Sequence, residues 1–190
     1  MIKIYSSFIT NYTQADYTRV YSLLECALKE QIDAKLQPQD KMRSLVGYDL
    51  LYRGALELYN KNKFDLTFNQ NGKPLCDFCY FNISHSHECV VCAFSDQPVG
   101  IDIQKITEVK PREKYKFFTE QENYYVNEIK DLVSERYIEI FTKKESAIKM
   151  LGLSFANDKK IDTFSNEFKF ETEKDNDFIM TVCCQNNENL

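Results

Sequence analysis

The chain has 190 residues and a mass of 22.4 kDa, enough for one domain or two small lobes and too little for multidomain machinery. Its 24 Lys and Arg against 29 Asp and Glu leave a net charge of −5, so no global field draws in nucleic acid or an acidic membrane. Hydrophobic residues at 43%, with 14 Phe and 12 Tyr, exclude a disordered chain and leave a folded enzyme or binding module.

The opening ten residues hold too short an apolar run for a signal peptide, and no stretch is long enough to span a bilayer. The expectation is a cytoplasmic protein whose 7 cysteines are reduced thiols rather than disulfides. Ile2, Ile4, Tyr5, Phe8 and Ile9 predict a first strand over residues 2–9. Tyr17, Val20, Tyr21, Leu24, Ala27 and Leu28 recur at helical spacing and predict one amphipathic helix over 14–32. A second helix, opened by Arg43, is predicted over 40–60 on the apolar face of Met42, Leu45, Val46, Leu50, Leu51, Ala55 and Leu58. A short strand at 64–68 runs into the turn Asn69-Gln70-Asn71-Gly72, which Lys73-Pro74 leaves.

Strands at 78–84 and 89–94 flank His85-Ser86-His87-Glu88, which reads as a hairpin tip, and Pro98 starts another strand over 99–106. Thr119 precedes a helix to Lys130, with Glu122 completing a capping box, and a longer helix at 134–151 ends on Gly152. Alternation at 168–170 and 178–183 supplies closing strands. The order predicts an α+β fold of two similar lobes, residues 1–98 and 99–190, in a monomeric chain.

Asp102 and Gln104 lie two apart on a strand, so both side chains leave one face and can converge on a hard cation such as Mg²⁺. Glu145 and Lys149 are one helical turn apart, a spacing that by itself reads as a surface salt bridge. Ser84-His85 offers a hydroxyl, an imidazole and backbone N–H groups as a phosphate cradle. Arg43 and Lys73 are cationic partners for an anion or, taken singly, solvated surface charges. Cys76-x-x-Cys79 and Cys89-x-x-Cys92 raise a zinc site as an alternative to buried free thiols, although positions three apart on a strand face opposite ways.

Four segments in order carry a resemblance: Gly72-Lys73-Pro74 leading to Phe81-Asn82-Ile83-Ser84-His85-Ser86, then Val99-Gly100-Ile101-Asp102-Ile103, Phe117-Phe118-Thr119-Glu120-Gln121-Glu122, and Phe141 through Gly152 with its Lys144-Glu145-Ser146 centre. In these the chain resembles the surfactin-type phosphopantetheinyl transferases, in the variant with Phe141 where that branch commonly has Trp. The resemblance implies two pseudo-symmetric α+β lobes holding coenzyme A between them. It also implies Mg²⁺-dependent transfer of 4′-phosphopantetheine to a serine of an acyl or peptidyl carrier protein, with release of adenosine 3′,5′-bisphosphate.

By position, Asp102 and Glu145 would bind the metal, with Gln104 standing where many members carry Glu. Glu145 would also accept the serine proton and Lys149 would contact the pyrophosphate. His85, Ser84 and Arg43 would hold the 3′-phosphate, and Lys73 and Pro74 would flank the adenosine. The basic segment of relatives is reduced here to Lys29, Lys35 and Lys41. Glu122 is either a helix cap or a support for the metal shell. A noncatalytic coenzyme A or carrier-protein binding module is the competing reading. Residues 107–135, with Phe117 and Tyr125, are the expected carrier surface, an apolar groove with a few local cations.

Overall fold

The computed structural model of the chain describes residues 1–112, 114–153 and 161–186. It is an α+β protein built on two three-stranded antiparallel sheets. In the first, β1 (Lys3–Phe8) and β4 (Tyr80–Ser86) flank β5 (Cys89–Ser95). In the second, β6 (Val99–Lys105) and β7 (Phe168–Asp175) flank β8 (Phe178–Gln185).

The unbroken apolar run of β5 has a packing reason, because every residue of that strand is buried. Val90, Cys92 and Phe94 pack with Val46, Leu50 and Leu51 of α3 (Pro38–Tyr59). Cys89, Val91 and Ala93 turn the other way, onto Val99, Ile101, Ile103 and Val182 of the second sheet. α5 (Val133–Leu151) covers the far side of that sheet, with Ala147 and Met150 against Cys183 and Phe168.

Gly100 explains how closely α5 can lie. A Cβ there would collide with the Ser146 carbonyl oxygen and sit 2.6 Å from the Met150 nitrogen, so only glycine lets the helix backbone rest on β6. Gly54 does the same for α3, where a Cβ would strike the Phe94 ring.

Several expected elements differ. The helix predicted over 14–32 is two, α1 (Gln14–Leu23) and α2 (Cys26–Asp33), broken where Leu24 turns extended at ψ 147°. The break lets Leu24, Leu28 and Ile32 pack as a cluster with Tyr48 and Tyr52 of α3. The strand at 64–68 reduces to β2 (Thr67–Phe68), because its partner is only the two-residue β3 (Pro74–Leu75) and Pro74 has no N–H to give. Phe64 instead packs its ring on Tyr52 and Phe78.

The hairpin tip is His87-Glu88 alone, with His87 at φ 51°, so His85 and Ser86 belong to β4. α4 (Glu120–Asn127) stops before Lys130, which opens a separate 3₁₀ turn. The Thr119–Glu122 capping box and the left-handed Gly152 cap, φ 66°, stand as expected. No helix among the described residues is long and apolar enough to cross a membrane.

Candidate active site

The two sheets meet where the edge of β6 runs alongside β4, and side chains make the join. Asn82 Oδ1, Ser84 Oγ and Ser86 Oγ, alternate residues on one face of β4, accept the backbone N–H groups of Ile101, Ile103 and Lys105 at 2.9, 3.4 and 3.0 Å. The amides that would otherwise be an unpaired strand edge are thereby satisfied.

This seam places Asp102 beside Ser84. Asp102 is 1% exposed; its Oδ1 accepts bonds from Ser84 Oγ at 2.8 Å and Lys149 Nζ at 2.5 Å, and its Oδ2 from Gln104 Nε2 at 3.1 Å. Lys149 Nζ also donates to Ser84 Oγ at 2.8 Å, which closes a triangle of serine, aspartate and lysine. The Glu145–Lys149 pair is therefore no surface salt bridge, since the ammonium is turned to Asp102.

Glu145 sits one turn before Lys149 on α5, only 9% exposed. Its Oε1 is the buried side-chain oxygen without a hydrogen-bond partner among the described residues. Burial first, and then the charge of Asp102, lift its carboxyl from 4.5 to about 7, with Lys149 pulling the other way. A partnerless buried carboxylate oxygen next to a second carboxylate is a donor set that suits a small hard cation, with water completing its shell. The residues present thus fit Mg²⁺. Gln104 turns its Nε2–H toward Asp102 while its Oε1 takes a 3.3 Å bond from Ser86 Oγ, so ligation through that oxygen requires the amide to turn over.

A second group of charges gathers around His85. Burial, and then the positive charges of Arg43, Lys149 and Lys35, hold its imidazole below the usual value. Lys35, from the thin basic segment, is near enough for its charge to act on His85. Arg43 is braced there: Nε donates to the His87 carbonyl at 2.5 Å and Nη1 pairs with Asp40 at 2.6 Å.

Lys73 has a structural role the spacing did not reveal. Its Nζ donates to the Lys149 carbonyl at 2.6 Å, while Asn69 and Asn71 donate to the Gly152 carbonyl at 3.1 and 2.8 Å. The turn 69–73 therefore caps the C-terminus of the helix that carries Glu145 and Lys149. Burial of that ammonium brings it down from 10.5 to about 8. Pro74 follows as the first residue of β3.

Glu122 is fully buried, and the partners seen are those of a helix cap and its counter-ion. Its Oε2 accepts the Thr119 N–H at 2.7 Å and pairs with Lys144 Nζ at 2.8 Å, and its Oε1 takes the Thr163 N–H at 2.9 Å and hydroxyl at 3.0 Å. Lys144, adjacent to Glu145, is the buried counter-ion of the capping box. The zinc reading also falls: Cys89 faces the second sheet and Cys92 faces α3, so the two Cys-x-x-Cys pairs do not converge. Among the described residues no three or more His, Cys, Asp or Glu gather into a site of the kind zinc would need.

The surface at 107–135, of which Glu113 lies outside the described residues, is divided. Tyr125 is held inside it, with Arg136 4.4 Å over its ring and Glu139 accepting its hydroxyl at 2.7 Å. Phe117 and Tyr124 are exposed, and Tyr124 borders a groove with Arg112, Lys114 and Lys130.

The family model of the 4′-phosphopantetheinyl transferase superfamily matches residues 98–188. The 4′-phosphopantetheinyl transferase Sfp of Bacillus subtilis (strain 168) is 32% identical over 160 residues, covering 80% of this chain and 70% of that relative. The chain belongs to the 4′-phosphopantetheinyl transferase family. The transferase gsp of Aneurinibacillus migulanus is 39% identical over 118 residues, 60% of this chain and half of gsp's own length. The transferase ffp of Bacillus subtilis is 31% identical over 159 residues. Within this transferase frame, Asn82, Ser86, Lys35, Lys144 and Gly100 are the positions sequence reasoning left without a role. The period-two polar run Asn82-x-Ser84-x-Ser86 was a usable signal for the seam, hidden by placing residues 85–88 in the turn.

Proposed function

We propose that the protein transfers 4′-phosphopantetheine from coenzyme A to a serine of an acyl or peptidyl carrier protein. In this reading it works as a cytoplasmic monomer whose lobes, 1–98 and 99–190, flank the cleft. The observation that carries the reading is the buried pair of Asp102 and Glu145: Glu145 Oε1 has no partner among the described residues and feels the charges of Asp102 and Lys149, while Lys149 and Ser84 are bonded to Asp102. Asp102 and Glu145 would hold Mg²⁺, which when bound supplies positive charge to a pyrophosphate.

The chain's own side chains do the rest. Lys149 adds charge to the diphosphate as a point cation, and the His85 and Arg43 side chains, with the charge of Lys35 nearby, hold the 3′-phosphate. Ser84 orients Asp102 and Lys149 relative to each other. Glu145 would also accept the proton of the attacking serine hydroxyl. Lys73 and Pro74 flank the nucleoside from the loop that caps α5. The exposed Phe117 and Tyr124, with nearby Arg112, Lys114 and Lys130, suit the acidic helices of a carrier protein.

The test mixes protein, coenzyme A, Mg²⁺ and an apo carrier protein and weighs the carrier. A gain of one phosphopantetheine arm, lost in Asp102→Asn and Glu145→Gln, supports the reading. Binding of coenzyme A without any gain in mass replaces it with the noncatalytic module.

A further inference from the structure

Cys76 and Cys79 lie outside the carboxylate site and have no part in the proposed transfer. The bend Cys76-Asp77-Phe78-Cys79 joins β3 to β4 and brings the two Sγ atoms to 3.6 Å, with the Cys76 thiol 3.3 Å from the Cys79 carbonyl oxygen. The sulfurs are in contact within a segment that belongs to no ladder, so no strand pairing has to break for them to join. Both thiols are half-buried and line a cavity of about 410 Å³ with Lys73, Tyr80 and Asp96. They are therefore open to a small reagent. Cys89, Cys92 and Cys183, by contrast, are buried.

The two sulfurs are also unequal. The Cys79 thiol, and then the backbone N–H groups of Cys79 and Phe78, lower Cys76 against the opposing effect of burial. Cys79 is pushed up by its bond to Cys76 and by burial. That division suits an attacking thiol and a resolving one.

We propose that Cys76 and Cys79 form a redox-active dithiol that low-molecular-weight disulfides oxidise to an intramolecular disulfide. The Cys76 thiolate attacks one sulfur of R–S–S–R, forming a mixed disulfide and releasing one R–S⁻. Cys79 then gives its proton to solvent and attacks Cys76 Sγ, which forms the internal bond and expels the second R–S⁻. The dithiol loses two electrons, the small disulfide gains them, and the two released thiolates take up the protons.

The experiment equilibrates the full chain with graded ratios of reduced to oxidised glutathione, alkylates the remaining thiols and weighs the peptides. The expected result is joint loss of alkylation at Cys76 and Cys79, with the cross-link assigned within the 76–79 peptide and Cys26 still alkylated. In Cys79→Ser, Cys76 should accumulate as the glutathione mixed disulfide. In Cys76→Ser, Cys79 should stay alkylatable. Persistence of both thiols in fully oxidised glutathione, or pairing of either with another cysteine, overturns the proposal. So does a mixed disulfide in the unmutated chain that never resolves.

Discussion

Replacing Glu145 with Gln should make the metal-free protein more stable at alkaline pH while abolishing its catalysis. The unfolded carboxyl titrates near 4.5 and the folded one near 7, so between those values the folded state binds the extra proton. A group raised in this way gives its full benefit below 4.5 and loses it as pH rises through about 7. The displacement corresponds to ~3 kcal/mol, and a side chain 9% exposed needs no large discount for solvent screening. Gln keeps the shape and never ionises. Urea unfolding of both proteins in chelator, from pH 5 to pH 8, should show their stability difference moving toward the variant by about 2–3 kcal/mol. Added Mg²⁺ should then stabilise the parent at pH 8 and leave Glu145→Gln unmoved. A difference that stays flat across that range refutes the account of a desolvated carboxylate held next to Asp102.

Lys144→Met strands the fully buried Glu122 and should lower unfolding stability by about 3–5 kcal/mol, whereas Lys143→Met, which breaks a partly exposed pair with Glu139, should lower it by less than about 1 kcal/mol. Gly100→Ala should push α5 off β6, lowering stability by about 1–3 kcal/mol and reducing carrier loading further than stability alone explains, as thermal melts beside the mass assay would show. Gln104→Glu should tighten Mg²⁺ binding in titration calorimetry, because a third carboxylate replaces an amide that now donates to Asp102; unchanged affinity places position 104 away from the cation. Ser86→Ala should leave the Lys105 N–H without its acceptor and lower stability by about 1–3 kcal/mol in urea titrations.

Much was legible in the chain itself. Local rules produced the Thr119–Glu122 cap, the Gly152 stop and a strand expected over 99–106 and found over 99–105, since capping and alternation involve residues close in sequence. The order of short motifs alone points to the family, and the positions of Asp102, Glu145 and Lys149 come with it. What sequence could not yield were contacts between residues far apart in the chain. The break at Leu24 is decided by packing on α3, and the shortness of β2 by the Pro74 partner. Glu122 looked like a cap or a metal support until Lys144 and Thr163 closed on it. Only tertiary structure put Lys149 on Asp102 across 47 residues, Lys73 on the end of α5 across 76, and the alternate side chains of β4 on the open edge of β6. Those outcomes depend on which buried polar groups are left needing partners once the two sheets and α5 have packed, and that need does not exist until the chain is folded.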